Sequence, residues 1–315
     1  MRDTVPRASH QGRRRSNQTR YLVALAAVLL WSCLFAGFQL GSALNAATTA
    51  SIDRNPETPL LSDNVAHEIR MESTRPGTEG LELAGRLTED GGLIQRPIAW
   101  LVRDSSGEIV MRSTAPAAGT LTPPGEYEVE ATYGAVRFKR RINLPPGHRL
   151  GVIFTLNVGG IRVLPRLSGI GLPATPSFTT IYATSGSAAG QLVGVSELPG
   201  EIIRVGSGSY RIESRFSPGN VLAVTEVVVK PGRMSAVEID HPAGLAHLSV
   251  KPERPAVSWT ITDETGAELP PIPGSTADVV LRPGRYTARA EIGDKTLTRS
   301  FSIGAGQSQD VVVRD

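Results

Sequence analysis

The sequence predicts an all-β protein in which a tandem array of three small antiparallel β-sandwich units follows one N-terminal transmembrane or signal helix. The 315 residues include 33 glycines and 23 prolines but only 5% aromatic residues, a composition that suits many short strands joined by tight turns. A short motif built around a Gly and a Tyr recurs along the chain. A run of 20 residues near the N terminus carries no formal charge. Together these observations indicate a membrane-targeting segment followed by a repeated β domain.

The N terminus is strongly basic, whereas the rest of the chain is nearly neutral. Residues 1–20 contain six arginines and one aspartate, a net charge of +5, which leaves −2 of the total of +3 for the other 295 residues. By the positive-inside rule, we expect such a segment to stay in the cytoplasm. A nearly neutral body lacks the basic face that phosphate binding needs, so nucleic acid is not an expected partner.

Residues 21–40 form a mainly apolar run that is just long enough to cross a bilayer as a helix. We expect residues 21–43 to be a transmembrane anchor that contacts the membrane through residues 21–40. The alternative is a signal segment that is cleaved near Ala43, since small residues precede that bond. The single cysteine, Cys33, lies within the run and cannot form an intramolecular disulfide, and its role stays open.

Residues 44–78 are polar, contain three prolines and show no sustained periodicity. We interpret them as a flexible linker between the membrane segment and the folded body. His67 and Glu68 fall inside this segment, where they are expected to be solvated.

The motif of the body is a Gly followed two residues later by a Tyr, after which apolar and polar residues alternate. It occurs as LTPPGEYEVEA at residues 121–131, as VGSGSYRI at residues 205–212 and as LRPGRYTARA at residues 281–290. A Pro-Gly pair predicts a type II turn, and the alternation predicts a half-buried strand. The motif positions to which we assign a structural role are Gly125, Tyr127, Tyr210, Pro283, Gly284 and Tyr286.

Other residues recur in register with the first and third copies, which a chance match would not produce. In both, a Trp precedes the motif Tyr by 27 residues and is followed by an Asp-x-x-Gly turn. The Trp side chains are expected in the core, and the Asp carboxylates are expected to accept backbone N–H bonds in their turns. These further structural residues are Trp100, Asp104, Gly107, Trp259, Asp263 and Gly266. The repeat divides the body into units at residues 79–158, 159–243 and 244–315.

Short strands separated by turn signals predict an antiparallel sandwich for each unit. In the hairpin at residues 126–143, one face is apolar, and on the other face glutamates oppose Arg137, Lys139 and Arg141. Such charge pairs contribute only about 0.2–1 kcal/mol each, so apolar burial is expected to dominate the stability of the hairpin. Strands of the first unit are expected near residues 81–87, 97–103, 108–113, 118–121, 126–133, 135–143 and 150–157.

One position breaks the apolar face of this hairpin in two units. Arg140 and Arg299 each fall 13 residues after the motif Tyr, and Thr225 occupies the equivalent position in the middle unit. One interpretation is that the strand leaves the core at this point and the side chain reaches the rim. The other makes Arg140 and Arg299 candidate interaction residues, in contact with a neighbouring unit or with a partner.

The stretch LRPGRYTARA resembles the corner of fibronectin type III and carboxypeptidase-regulatory (transthyretin-like) domains, in which a Tyr hydroxyl bonds back to nearby backbone. The short units and the order of the turns are more similar to the transthyretin-like group, and also to repeats of large bacterial envelope proteins. The resemblance covers roughly residues 80–315 and implies immunoglobulin-like or transthyretin-like sandwiches, without implying an activity. Together with the basic N terminus and the apolar run, it leads us to expect a single-pass protein of the bacterial inner membrane with a periplasmic C-terminal body or, after cleavage near Ala43, a secreted or periplasmic protein.

No stretch carries a recognisable catalytic or cofactor motif. His241 and His247 flank a Pro and a Gly at a unit junction, without a third metal ligand at suitable spacing. The sequence has neither a Gly-x-Ser-x-Gly elbow nor a His-Glu-x-x-His pair. We therefore expect no catalytic residue, no cofactor and no metal site, and a protein that is not an enzyme.

Three functions agree with these expectations. The first is a non-enzymatic bacterial envelope protein whose extracytoplasmic array binds a protein or glycan partner or acts as a spacer. The second is an accessory subunit of a membrane export or envelope-assembly complex. The third is a hydrolase with an unrecognised site.

Overall fold

The computed structural model describes residues 60–61, 65–253 and 257–314, which belong to one compact unit of the chain, Asp53–Asp315. The predicted cytoplasmic segment and the predicted membrane segment, with Cys33, lie outside these residues, as does most of the predicted linker. Within the part of the chain that the structure describes, no helix is long and apolar enough to cross a bilayer.

The first sandwich is an all-β unit with two facing sheets, as the sequence predicts. One sheet has the strand order β1-β8-β7-β4-β5 and the other has the order β2-β9-β3-β6. Strands β3 to β9 match the seven predicted strands to within two residues at each end. In chain order the strands are β1 (Leu60–Leu61), β2 (Ala66–Ser73), β3 (Gly80–Arg86), β4 (Ile98–Asp104), β5 (Ile109–Ala115), β6 (Ala117–Leu121), β7 (Gly125–Tyr133), β8 (Val136–Leu144) and β9 (His148–Thr155).

The second and third sandwiches repeat this arrangement. The second comprises β10 (Val158–Leu167), β11 (Ser177–Ala183), β12 (Leu192–Ser196), β13 (Ile202–Gly206), β14 (Gly208–Phe216), β15 (Leu222–Val229) and β16 (Met234–His241), with a 3-10 turn at Gly186–Ala188. The third comprises β17 (Gly244–Lys251), β18 (Val257–Asp263), β19 (Ile272–Pro273), β20 (Thr276–Leu281), β21 (Gly284–Ile292), β22 (Lys295–Ile303) and β23 (Ser308–Arg314).

Seven strands have the same order in all three units, and the first unit adds β1 and β2 at its sheet edges. The sheets are β13-β10-β16 with β12-β11-β14-β15 in the second unit, and β20-β17-β23 with β19-β18-β21-β22 in the third. In each unit the first strand pairs in parallel with the last, as β3 with β9, β10 with β16 and β17 with β23. The middle unit, whose motif is the weakest in sequence, therefore has the same topology as its neighbours.

Alternation along the strands explains how each core is filled. In β7 the odd-numbered residues from Tyr127 to Tyr133 are buried, while the residues between them are partly exposed. Trp100 lies opposite Ala131 and Trp259 lies opposite Ala290, so a small side chain leaves room for each indole. The two Trp residues are 1% and 0% exposed. Removing a side chain of this size from a core typically costs about 3–5 kcal/mol, so these positions are central to the stability of their units.

The last part of the predicted linker is a strand rather than a flexible tether. Residues 66–73 form β2, which pairs antiparallel with β9 over eight residue pairs. Their lack of apolar periodicity misled the prediction, because an edge strand needs its backbone hydrogen bonds but does not need a buried face. His67 is exposed on this strand, with its ring 5.9 Å from the ring of Phe154.

The charged face of the first hairpin agrees with the sequence prediction. The ammonium of Lys139 lies 3.1 Å from the carboxylate of Glu128 and 3.2 Å from that of Glu130. The hydrogen bond to Glu128 is the largest cause of the raised pKa of Lys139, and the hydrogen bond to Glu130 is the second. Because the groups are partly exposed, the pairs help to fix the strand register rather than supplying much stability.

The Asp-x-x-Gly turns of the first and third units have the same hydrogen bonds. Oδ1 of Asp104 accepts bonds from the Ser106 hydroxyl at 2.6 Å and from the N–H groups of Ser106 and Glu108 at 2.9 Å. Asp263 accepts the corresponding bonds from Thr265 and Ala267 at 2.6–2.9 Å. Gly107 and Gly266 both have a φ of +88°, which explains the glycine at the end of each turn.

These bonds couple the two turns to pH. The side-chain hydrogen bond from Ser106, with the backbone N–H groups, lowers the pKa of Asp104, and the hydrogen bond from Thr265 is the largest cause of the lowered pKa of Asp263. A lowered pKa in the folded state means that the ionised carboxylate favours folding. This contribution is complete above the unfolded pKa near 3.9, and it is lost as the pH falls through the folded value.

We predict that Asp104→Asn and Asp263→Asn lower the urea midpoint of the full chain at pH 7, and that the loss shrinks as the pH falls below the unfolded pKa of about 3.9, because the carboxylates then become protonated. Urea denaturation at several pH values measures both effects. Asp90→Asn is the control, since Asp90 is exposed and its carboxylate makes no hydrogen bond to the described residues. A loss that is equal at every pH would contradict the role of the carboxylate charge.

Candidate interaction surfaces

Each unit has a tyrosine corner that closes the crossing from one sheet to the other. The hydroxyl donates to the carbonyl four residues earlier, from Tyr127 at 2.5 Å, from Tyr210 at 2.6 Å and from Tyr286 at 2.9 Å. Burial raises the pKa of Tyr210 to about 12, so its hydroxyl is a proton donor at any physiological pH. The tyrosine, rather than a backbone turn bond, holds this crossing.

The predicted type II turn at the Pro-Gly pair is wrong. That turn needs a φ near +80° at the Gly, whereas Gly125 has a φ of +158° and Gly284 has no positive φ. Both glycines begin strands, β7 and β21, and each ideal Cβ position would contact the ring of the following tyrosine. The backbone here is extended as it crosses between sheets, which leaves the tyrosine hydroxyl as the group that fixes the bend.

The two motif tryptophans lie in the cores and are not exposed binding platforms. Nε1 of Trp100 donates to the carbonyl of Ala115 at 3.1 Å, and Nε1 of Trp259 donates to the carbonyl of Gly274 at 2.8 Å. Each acceptor lies 15 residues after its tryptophan. The spacing repeat therefore extends to a hydrogen bond that satisfies the one polar atom of each indole.

Open clefts lie beside the Asp turns of the first and third units. The first has a volume of about 430 Å³ and is lined by residues that include Asp104, Glu126 and Arg141. The second has a volume of about 410 Å³ and is lined by residues that include Asp263 and Arg285. Oδ1 of each Asp accepts the turn hydrogen bonds, so the repeated aspartates hold the turns that border these clefts.

Arg140 and Arg299 lie on the inner face of their strands and donate across the open side of the sandwich. Arg140 bonds to the carbonyl of Val65, just before β2, at 2.7 Å. Arg299 bonds to the carbonyl of Val312 on β23 at 3.0 Å. The arginine side chain therefore reaches the rim of the sandwich in both units. In the first unit it also holds Val65, the residue before β2, by a hydrogen bond.

The two histidines near the second junction are in different environments. His241 is fully buried, with its ring nitrogens 3.1 Å and 3.0 Å from the carbonyls of Arg166 and Ser214. His247 is more exposed and lies between the Asp278 carboxylate at 2.6 Å and the Ser308 hydroxyl at 2.9 Å. The two rings bond to different groups, and among the described residues no group of three His, Cys, Asp or Glu side chains could hold a metal ion.

The first and second units meet at a main-chain joint. The turn between β7 and β8 docks on β13, where the Ala135 N–H donates to the carbonyl of Arg204 at 2.8 Å. The Arg204 guanidinium lies 5.7 Å from the ring centre of Tyr133. A Cβ atom on Gly134 would approach the Cβ of Arg204 to 2.5 Å, so the glycine is needed for the close contact.

The second and third units meet in the same way, with a larger buried contact. The turn between β14 and β15 docks on β20, where the Asn220 N–H donates to the carbonyl of Val280 and the Val280 N–H donates to that of Pro218, both at 3.1 Å. A separate hydrophobic cluster fills this joint and includes Phe216, Val221 and Val280, the last of which is fully buried.

Asn220 also joins its unit to the tyrosine corner of the next one. Its side-chain N–H donates to the Tyr286 hydroxyl at 3.1 Å, and its side-chain oxygen accepts from the Arg282 N–H at 2.8 Å. One side-chain amide therefore contacts both residues of the corner, Tyr286 through its hydroxyl and Arg282 through its backbone N–H. Side-chain amides can donate and accept at once, which suits Asn to this position.

The docking residues occupy fixed positions relative to the motif tyrosine. We call the residue six before the tyrosine the acceptor position, which is Leu121, Arg204 or Val280 in the three units. We call the turn that begins six residues after the tyrosine the docking turn, which starts at Tyr133, Phe216 or Ile292. Strand pairing supports the equivalence, because the acceptor residues pair with Gly80, Gly160 and Leu245 at the start of each first strand.

The sequence analysis missed Asn220 and the docking role of these turns. A signal was present, since the middle unit has Ser-Pro-Gly-Asn where the first unit has a two-residue turn at Gly134. Insertions in one copy of a repeat mark places where that copy contacts something different. The candidate interaction residues Arg140 and Arg299 lie on strands away from both docking turns.

A family model described as the Rhizobiales growth-associated tandem repeat domain matches residues 252–314, which lie in the third unit. No curated protein matches the sequence.

Several solved structures are similar to this chain. The streptococcal ancillary pilin is 10% identical, with 75% of this chain and 98% of that chain covered and a TM-score of 0.28. The minor pilin GBS52 of Streptococcus agalactiae is 12% identical, with 50% of this chain and 94% of that chain covered and a TM-score of 0.25. The Bacillus anthracis TIE protein is 16% identical, with 75% of this chain and 50% of that chain covered and a TM-score of 0.23, so this chain spans half the length of that one. At these TM-scores, none of the three similarities bears on function.

We predict that Asn220 and Tyr286 are energetically coupled across the second joint. A double-mutant cycle of Asn220→Ala and Tyr286→Phe should give a coupling energy of about 0.5–1.5 kcal/mol, the usual net value of one hydrogen bond. Amide hydrogen exchange in β20 and β21 reports the free energy of opening. Tyr210→Phe, which removes a corner hydroxyl with no contact to Asn220, should be additive with Asn220→Ala. Equal coupling in both cycles would contradict the joint contact.

We predict that Arg140→Met releases β2 from the first sandwich. Loss of a charged donor to the Val65 carbonyl should lower amide protection in β2 by about tenfold or more, because hydrogen bonds of charged groups contribute about 1.5–3 kcal/mol. The matched control is Arg141→Met, which changes the exposed neighbour. Unchanged protection in β2 would show that strand pairing alone holds it.

Proposed function

We propose that this protein is a non-enzymatic spacer and binding module of the bacterial envelope. The observation that carries the proposal is the pair of joints, in which backbone hydrogen bonds fix each sandwich directly to the next. Beads on flexible linkers would not need such contacts, whereas a module that holds a partner at a set distance does. The match to a repeat domain described for Rhizobiales favours a bacterial setting.

The N-terminal sequence supports a location at the inner membrane. Six arginines before an uncharged run of 20 residues favour a single-pass anchor, with the C-terminal body in the periplasm. Cleavage near Ala43 would instead give a secreted or periplasmic protein. In both forms of the proposal the three sandwiches lie outside the cytoplasm.

Topology favours the transthyretin-like resemblance over the fibronectin type III one. Lettered A to G in chain order, the seven shared strands of each unit form the sheets D-A-G and C-B-E-F. Immunoglobulin constant domains keep strands A and B in one sheet, whereas these units separate them. We therefore infer membership of the transthyretin-like group of sandwiches.

An exposed apolar face on the second unit favours a second function, that of an accessory subunit in an export or envelope-assembly complex. Three of the four outward residues of β15 are apolar, namely Leu222, Val224 and Val228, which are 56%, 48% and 62% exposed, and the fourth is Glu226. The equivalent outward positions are all polar in the other two units, with two arginines, a lysine and an asparagine in the first and two threonines and two serines in the third. A mainly apolar strand face in the second unit alone fits contact with a protein partner.

We predict that the full chain stays with membranes after carbonate washing and keeps Met1 by mass determination, because the apolar run anchors it. Protease added to spheroplasts should digest the body. Deletion of residues 1–43 is the control and should leave a protein that does not associate with membranes. Soluble protein that begins near Leu44 would support cleavage, while a body protected from protease would contradict the proposed location.

A further inference from the structure

Among the described residues, one docking turn and one acceptor position are not used by the internal joints. The acceptor positions of the second and third units, Arg204 and Val280, receive the turns of the units before them. The acceptor position of the first unit is Leu121, and the docking turn of the third unit begins at Ile292. These two surfaces are the unused halves of a joint.

The free acceptor position presents an apolar side chain to solvent. Leu121 is 64% exposed, whereas Val280 in the same position of the third unit is fully buried by the docked turn. Its carbonyl has the 3.3 Å contact with the Thr120 hydroxyl, and a carbonyl oxygen can accept a second hydrogen bond. The first unit thus presents the same two features that the docked turn covers at Val280, an apolar side chain and a backbone carbonyl that can accept a hydrogen bond.

The free docking turn has the same backbone as the one in the first joint. Ile292 pairs with Lys295 as Tyr133 pairs with Val136, so both hairpins close with two residues. Gly293 has a φ of +59°, and Gly134 has a φ of +60°. A Cβ atom on Gly293 would meet no atom of the described residues within 4 Å. The turn therefore has the shape to dock and the space to do so.

The side chains of the two halves are compatible. In both internal joints the residue that begins the docking turn lies with the residue at the acceptor position: the Arg204 guanidinium is over the Tyr133 ring, and Phe216 and Val280 belong to one buried cluster. The unused pair is Ile292 with Leu121, two aliphatic side chains. The pairing of Phe216 with Val280 shows that an apolar pair serves in this joint.

We propose that copies of this chain associate head to tail, with the docking turn of the third unit of one copy on Leu121 of the first unit of the next. The Asp294 N–H, equivalent to that of Ala135, would donate to the Leu121 carbonyl. Such a contact joins two different surfaces, so it builds open chains rather than closed dimers. The proposal goes beyond the spacer function, since it requires neither a membrane nor another protein.

Association between copies should be weaker than the joints inside the chain. A short covalent link supplies an effective concentration of the order of mM, which separate molecules lack. We therefore expect the average molecular mass of the full chain, purified in a nonionic detergent, to increase as its concentration rises from about 10 µM to about 1 mM. The upper value matches the effective concentration that a short covalent link gives. Sedimentation velocity across this range should show species larger than dimers.

Two variants remove one half of the contact each. Gly293→Asn should weaken association by at least about tenfold, because its Cβ would overlap the opposing backbone as at Gly134. Gly266→Asn is the matched control, since Gly266 also has a positive φ and open space around its Cβ position. Leu121→Glu should have the same effect, and Leu198→Glu, at a leucine that is 69% exposed, is its control.

Mixing the two variants gives the decisive result. Each is expected to be monomeric alone, but together they should form a 1:1 dimer and nothing larger, since only one intact pair of surfaces is then available. Recovery of association in the mixture also shows that both variants are folded. A wild type that stays monomeric to about 1 mM, variants that still associate alone, or a mixture that does not dimerise would each overturn the proposal.

Discussion

The structure depends on one hydrogen bond in each unit, from the motif tyrosine to the carbonyl four residues before it. This bond fixes the crossing between the two sheets, so the strand that follows begins at a defined place. That strand has nine residues in each unit, and it separates the acceptor position from the docking turn by twelve residues. At about 3.4 Å per residue, the two docking surfaces are held at opposite ends of a strand of about 30 Å. One corner therefore sets both the fold of a unit and the way it meets its neighbours.

The two internal joints share a backbone geometry but differ in their side chains. At the first joint a cation lies over the Tyr133 ring, an arrangement that contributes about 0.5–1 kcal/mol at exposed sites. At the second joint Phe216 and Val280 are buried, and the Asn220 amide adds two hydrogen bonds. Burial of whole apolar side chains contributes about 1.5–3 kcal/mol each, so the second joint should be the stiffer one. Any bending of the array is then expected between the first and second units.

The sequence predicted the parts of this structure that are repeated, and it missed the parts that are not. Fixed spacings to Tyr127 and Tyr286 were enough to predict the repeated sandwich and the buried tryptophans, because packing of a common core restrains them together. The prediction of a type II turn at Gly284 was wrong, because local turn preferences do not account for the hydrogen bond from the Tyr286 hydroxyl to the Arg282 carbonyl. Strand β2 was missed because its stability comes from pairing with β9 rather than from its own pattern. Asn220 was missed because its two partners are more than sixty residues away in sequence.

In the first unit, Glu79 provides the hydrogen-bond partner that the preceding junction provides in the other two. In the second and third units, Gly232 and Gly306 donate their N–H groups to carbonyls at the preceding junction. In the first unit, the equivalent N–H of Gly147 donates to the Glu79 carboxylate at 3.2 Å. The backbone N–H of Glu79 itself, together with that of Gly147, lowers the pKa of Glu79 and keeps it charged. Terminal repeats usually also replace apolar contact residues with polar ones, yet the acceptor position of this unit is an exposed leucine. The Gly147 N–H of the first unit is therefore hydrogen-bonded within that unit, whereas the apolar side chain of Leu121 is exposed and available for contact with another surface.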